Sequence, residues 1–209
     1  MGWYNEHILP HVINAACSAR PNQKQREKTV PHAEGEILEI GFGSGLNLPF
    51  YDAGKVKKIW VLEPSEGMRR KAQAMLENTD LEVELIDLPG EQIPLEANSI
   101  DTVLVTYTLC TIVDAVTVLE GMRRVLKPGG RLLYSEHGAA PDEKVARWQK
   151  WLNPTWKRIA GGCNMNRDIP ALIKAAGFNI TTDERMYIPG ARVLSYSYWG
   201  VAEDKQQTG

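Results

Sequence analysis

Residues 36–45 read Glu-Ile-Leu-Glu-Ile-Gly-Phe-Gly-Ser-Gly. The short apolar run of Ile37, Leu38 and Ile40 suits a strand buried in the middle of a parallel sheet. Gly41, Gly43 and Gly45 then remove the β-carbons from one side of a turn, so the backbone can take positive φ and a ligand can approach it closely. With a helix expected next, backbone N–H groups and the helix dipole converge on a site for a nucleotide-like ligand. A dinucleotide fingerprint places glycine at the first, third and sixth positions. The sixth position here is Leu46, so that reading loses its third glycine.

Working outward, Lys58–Leu62 is a second apolar run that ends at Glu63. A carboxylate about twenty residues beyond the first glycine is placed to accept hydrogen bonds from ribose hydroxyls. Ser65 caps a helix whose Met68, Ala72, Met75 and Leu76 recur at helical spacing. Leu81–Ile86 alternates as a strand nearer the sheet edge, and Ile100–Tyr107 is nearly continuous in apolar character, as a doubly covered central strand should be. Asp114 caps a helix that stops at Lys127-Pro128-Gly129-Gly130, before the strand Arg131–Glu136. After a helix at Ile169–Ala176, Phe178–Arg185 and Arg192–Val201 follow each other with no helix between them, which implies an antiparallel pair at one sheet edge. The expected fold is α/β: a doubly wound, seven-stranded, mostly parallel sheet with an antiparallel edge strand.

The chain has 209 residues, enough for one domain with a sizeable core. Residues 1–35 read as a lid or strap in front of a domain over 36–209, with a helical insertion at about 141–165. The strap begins with an amphipathic helix at Trp3–Cys17 and continues as a polar, proline-punctuated stretch from Arg20 to Gly35, outside the core. A net charge of -2 and a pI near 6.1 provide no basic field for phosphates, so nucleic acid is a disfavoured partner. Polar residues and Pro10 interrupt the apolar residues of the first twenty positions, which fits neither a signal peptide nor an integral membrane segment. Three widely spaced cysteines argue against a disulfide framework and suit a reducing, cytoplasmic location. His7 and His11 would share a helix face, but two histidines without a third ligand do not make a metal site, and none is assigned.

An acid placed one residue before Gly-x-Gly-x-Gly, here Glu39, resembles motif I of the class I S-adenosylmethionine-dependent methyltransferases. The stretch Arg124-Val125-Leu126-Lys127-Pro128-Gly129-Gly130 resembles the helix-to-strand junction of the same class. From Ile37 to about Val201 the chain is similar to a narrower group, the methyltransferase-like seven family, whose studied members are thiol S-methyltransferases. Gly43-Ser44-Gly45-Leu46-Asn47, Leu88-Pro89-Gly90-Glu91, Leu109-Cys110, Glu136-His137, Pro154-Thr155-Trp156-Lys157 and Gly162-Cys163 carry that similarity. The resemblance implies S-adenosyl-L-methionine as cofactor, bound by Glu39, Gly41, Gly43, Gly45, Asn47, Glu63, Pro64, Leu88, Gly90, Glu91 and Thr106, with Tyr4 reaching over it from the N-terminus. Pro89 stands near the family's usual adenine acid, leaving Asp87, Gly90 or Glu91 to replace it. Phe42 stands where the family usually has cysteine, and the hydrophobic N-terminal anchor of the animal members is missing.

The acceptor should meet the methyl group outside the carboxyl ends of the central strands. The candidates are Tyr107 and Cys110 after the fourth strand, Glu136 and His137 after the fifth, and Cys163, with Trp148, Trp151 and Trp156 as an aromatic pocket wall. Methyl transfer from a sulfonium is an in-line displacement, so the protein supplies alignment, exclusion of water and, where needed, a proton acceptor. A thiol near pKa ~8.5 suits a neutral histidine better than an ammonium near ~10 does. His137 is therefore the expected base or thiolate stabiliser, oriented by Glu136, and the expected partner is a small apolar thiol. Three alternatives are N-methylation of an amine or of phosphatidylethanolamine, with Arg20, Lys24, Arg26 and Lys28 as a basic strap; methylation of a trivalent arsenic held by thiolates, which needs Cys17 to swing in; and a cofactor-binding module without catalysis.

Overall fold

A computed structural model describes residues 7–205. The seven strands are β1 (Gly35–Ile40), β2 (Val56–Leu62), β3 (Val83–Ile86), β4 (Ile100–Thr106), β5 (Leu126–His137), β6 (Phe178–Tyr187) and β7 (Tyr196–Asp204). They form one sheet in the order β3-β2-β1-β4-β5-β7-β6. β1 to β5 run parallel, and β7 is antiparallel to both neighbours, so the reversed strand lies one place in from the edge and β6 takes the edge itself. The order changes direction between β1 and β4, and a crevice opens at such a switch point.

Side chains of β1 and β4 divide by the two-residue period of a strand. Leu38, Ile40, Val103 and Val105 face a core filled by α4 (Ala115–Val125) and α6 (Ile169–Ala175). Ile37 and Leu104 face the other layer, with Val30, Ala33, Phe42 and Ala72. Ala72 belongs to α3 (Glu66–Leu76), which Ser65 caps by accepting the Met68 N–H. Asp114 caps α4 through the Thr117 N–H.

The strap is more ordered and more deeply seated than its composition suggests. It holds α1 (Leu9–Cys17) and α2 (Arg20–Thr29), with Pro10 and Pro21 in their first turns, where proline removes no helical hydrogen bond. Gln25, Arg26 and Thr29 of α2 are buried and Val30 is fully buried, so this half of the strap belongs to the core and Arg26 is not part of a solvated basic face. The insertion is α5 (Glu143–Ile159). Buried Gln149 fastens it: its Oε1 accepts from Ala140 N at 2.9 Å, and its Nε2 lies 2.8 to 3.0 Å from the carbonyls of Gly138, Met165 and Val193. The strand expected at Arg192 begins at Tyr196.

Leu104 has no exposed surface and lies on the central strand, whereas Leu85 is 38 % exposed on β3. Leu104→Ala should destabilise the domain by about 2–5 kcal/mol, and Leu85→Ala by under ~1 kcal/mol, compared by denaturant midpoints.

Candidate active site

The turn after β1 has the conformation that the three glycines allow. Gly41, Gly43 and Gly45 have φ of 76°, 61° and 80°. A β-carbon at Gly41 would overlap the Thr108 side chain, whereas one at Gly43 would meet Met68 Cε at 3.3 Å and the Gly41 carbonyl oxygen at 4.0 Å. The backbone at Gly43 is thus an open cradle. At the end of β2, Glu63 borders it, its Oε2 accepting from Gly43 N at 2.8 Å and its Oε1 from Ser65 N at 2.9 Å. Burial raises the Glu63 pKa against the pull of those two N–H groups and of Arg69. Arg69 also donates to the carbonyl of Glu63 and pairs with Asp87 beyond β3. Asp87 and Glu91 are exposed, and a β-carbon at Gly90 would lie 3.0 Å from Ile40, so this turn passes tightly over the end of β1. A nucleoside-sized ligand fits the cradle by its glycines and its bordering carboxylate. Tyr4 lies outside the described residues.

Glu39, Asn47 and Thr106, expected at the cofactor, instead lie beneath the loop and bind one another. Asn47 Nδ2 donates to Glu39 Oε1 at 2.8 Å and to Thr106 Oγ1 at 3.0 Å, and Tyr51 OH donates to Glu39 Oε2 at 2.6 Å. Arg26 Nε completes the set by donating to Asn47 Oδ1 at 2.9 Å. With Glu39 1 % exposed and Asn47 2 % exposed, they brace the loop from behind. Burial pushes the Glu39 carboxyl up to about 7, although Tyr51, Asn47 and Arg26 pull it down. From above, α1 touches the loop, where Ser44 Oγ donates to Asn14 Oδ1.

β4 ends in a strained residue. Tyr107 has φ of 54°, left-handed for a bulky side chain, and its ring lies under the Arg26 guanidinium at 5.1 Å. The kink aims the next N–H groups at Glu136 in β5. Glu136 Oε1 accepts from Thr108 N at 2.6 Å and Leu109 N at 2.9 Å, and Oε2 accepts from Cys110 N at 3.4 Å. Glu136 therefore does not orient His137. It is fully buried and holds the loop that carries Cys110.

His137 ends β5 with its Nε2 3.2 Å from Cys163 Sγ, and Cys163 Sγ lies 3.6 Å from Cys110 Sγ. Burial lowers the basicity of the imidazole, but Cys163 and Glu136 outweigh it, and the net shift is upward. The charged imidazole is favoured, which suits stabilisation of an adjacent thiolate. The Cys163 thiol is pushed well up by its hydrogen bond with Cys110 and by burial. The three side chains come from the end of β5 and from two separate loops.

The expected aromatic wall does not form from all three tryptophans. Gln149 occupies the inward face of α5, so Trp148 and Trp151 point out, 57 % and 70 % exposed and edge-to-face at 5.4 Å. Only Trp156 is partly buried. Three residues that matter to the site are not placed there by the sequence: Gln149 and Asn164, which carry no assigned role, and Arg26, which is assigned only to a basic strap. Each is polar and buried, and no local pattern marks such a residue.

The switch-point crevice, the glycine cradle and the bordering acid define a class I S-adenosylmethionine-dependent methyltransferase. Residues 38–134 match the methyltransferase domain model. Human thiol S-methyltransferase TMT1B is 33% identical over 192 residues, covering 87% of this chain and 78% of that protein. Human thiol S-methyltransferase TMT1A is 30% identical over 153 residues, covering 71% of this chain and 62% of that protein. Among solved structures, a methyltransferase from Mesorhizobium loti superposes with a TM-score of 0.65 at 17% identity, covering 89% of this chain and 99% of that one. The chain belongs to the TMT1 family of methyltransferases. It is an enzyme of that class, and S-adenosylmethionine is its cofactor. No helix among the described residues is long and apolar enough to cross a membrane.

Because the folded Glu39 carboxyl holds its proton up to about 7 while an ordinary one releases it near 4.5, the native state binds more protons in that interval. Native stability therefore falls as pH rises from about 4.5 to about 7. Glu39→Gln should remove about 2–3 kcal/mol of this fall. Thermal midpoints of both proteins at about pH 5 and about pH 8 check this, with the variant showing the smaller difference. Glu63 and Glu136 shift in the same direction and leave it a residual slope.

Proposed function

We propose that this enzyme methylates the sulfur of small, apolar thiols and releases S-adenosylhomocysteine. When bound, the cofactor supplies an electrophilic methyl group on a positively charged sulfur. Gly43 and Glu63 would hold its ribose end, with the turn at Leu88–Glu91 beside the base and Pro64 at the rim. The chemistry at the end of β5 supports a sulfur acceptor. An ammonium acceptor needs an anion to hold it and a strong base to take its proton, but both oxygens of Glu136 are committed to backbone N–H groups. A thiol needs less. The His137 imidazole, already in contact with one sulfur, would stabilise the thiolate as its proton leaves, and half-buried Cys163 and buried Cys110 keep water away.

The naming of TMT1B and TMT1A as thiol S-methyltransferases supports the same acceptor. A small-molecule acceptor also fits the net charge of -2, which offers nucleic acid no basic surface. A cytoplasmic setting fits the three unpaired cysteines.

Methyl transfer to a panel of small thiols, amines, phenols and phosphatidylethanolamine, followed by mass spectrometry, tests the reading. S-methyl products are expected, falling about 10²-fold or more in His137→Ala. N-methylated lipid as the main product would overturn it. For the cofactor, Glu63→Ala should weaken S-adenosylmethionine binding about ten- to a hundredfold by calorimetry, the loss of charge-assisted hydrogen bonds. An unchanged affinity would remove Glu63 from the site.

A further inference from the structure

Cys110, His137 and Cys163 lie 53 residues apart along the chain at their extremes, yet their donor atoms converge. Cys110 Sγ, His137 Nε2 and Cys163 Sγ all lie within 4.8 Å of one another. The individual separations are informative. A zinc ion with Zn–S near 2.3 Å and Zn–N near 2.0–2.1 Å has tetrahedral edges of roughly 3.8 Å between sulfurs and roughly 3.5 Å between sulfur and nitrogen. The separations here are 3.6 Å and 3.2 Å. These two edges are within a few tenths of an ångström of the tetrahedral values, and the third lies within 4.8 Å.

The backbone around the donors is also built to hold them. Asn164, next to Cys163, ties the two cysteine loops together: its N–H and its Nδ2 donate to the carbonyl of Cys110 at 2.8 Å and 3.0 Å. Asn153 of α5 in turn donates to Asn164 Oδ1 at 3.2 Å. Glu136 fixes the N–H of Cys110 from the other side. This support from behind lies on the cysteine side, whereas Nδ1 of His137 is buried without a hydrogen-bond partner among the described residues.

We propose that Cys110, His137 and Cys163 form a three-ligand site for a soft divalent cation, zinc by its donor set, whose fourth position takes the sulfur of the methyl acceptor. Two thiolates and a neutral imidazole are ligands that zinc favours, and two thiolates cancel the charge of a divalent ion in this largely buried place. Three protein ligands leave one position for substrate. The second half of the proposal rests on the thiol reading above. Loading the ion releases the two cysteine protons and the imidazolium proton of His137 to solvent, and the acceptor thiol releases its own as its sulfur joins the ion. That sulfur then uses a lone pair to form the new S–C bond while the bond from the methyl carbon to the sulfonium breaks and leaves its electron pair on S-adenosylhomocysteine. The product is a neutral thioether, a weaker ligand than a thiolate, and departs. The ion keeps its oxidation state throughout.

The test begins with full-length protein purified under reducing conditions and freed of metal by a chelator, then titrated with cobalt(II) alone and followed by absorption. One cobalt per chain is expected, with sulfur-to-cobalt charge transfer and tetrahedral ligand-field bands. The charge-transfer band should be lost or halved in Cys110→Ser and Cys163→Ser and kept in Cys17→Ser. Adding a small thiol should shift the ligand-field bands. Absence of cobalt uptake by the wild type, with S-adenosylmethionine binding intact, would overturn the site. If S-methylation also persisted in the chelated protein, the thiol reading would stand without it. Cobalt bands that no thiol moves would overturn the acceptor's place on the ion.

Discussion

The buried carboxyl of Glu39 is the constraint on which the rest of the site depends. It belongs to the central strand β1, on the face shared with Ile37 and Leu104, where burying an unpartnered acid would be costly. The fold offsets that cost by surrounding it with donors from three places: Asn47 at the end of the glycine turn, Tyr51 after it, and Arg26 of α2 through Asn47. Satisfying one acid thereby fixes the loop against β4 and draws the N-terminal segment onto the sheet. A half-satisfied network of this kind is worse than an apolar core, so its members depend on one another.

The same device recurs two strands away, beyond β4. Glu136 is fully buried and is satisfied by backbone N–H groups, at the expense of a left-handed tyrosine at 107. Side chains from β1 and β5 thus set the two loops that flank the switch point. The catalytic end of the sheet is shaped from below by two buried acids.

Much of the scaffold was legible because strands and amphipathic helices leave periodic marks. The run at Ile37–Ile40, the Asp114 cap and the succession of two strands after Ala176 each led to the element that forms, whereas the helix expected after the alternating glycines is only a 3₁₀ turn at Leu48–Phe50. What was not legible has a common physical cause. α2 reads Arg-Pro-Asn-Gln-Lys-Gln-Arg-Glu-Lys-Thr, with no apolar stripe, yet three of its residues are buried: Gln25 donates to the sulfur of Met186, Arg26 donates to Asn47, and Thr29 donates back to the Gln25 carbonyl. Similarly, Trp148 and Trp151 look like pocket residues until Gln149 is seen to take the inward face of α5. The role of Glu136 could not be separated from that of His137 by sequence, because adjacent strand residues point to opposite faces and only the partner loop reveals which acid is free. The meeting of Cys110, His137 and Cys163 is a product of a strand end and two loop paths.

The outward turn of Trp148 and Trp151 also determines how this protein will look in a fluorimeter. Of the five tryptophans among the described residues, these two are the ones largely in water, stacked edge to face on a single helix. Their emission is the part of the spectrum that small aqueous quenchers reach first. Native-state quenching will therefore report the environment of α5, and the partly buried Trp60, Trp156 and Trp199 will report the body of the fold.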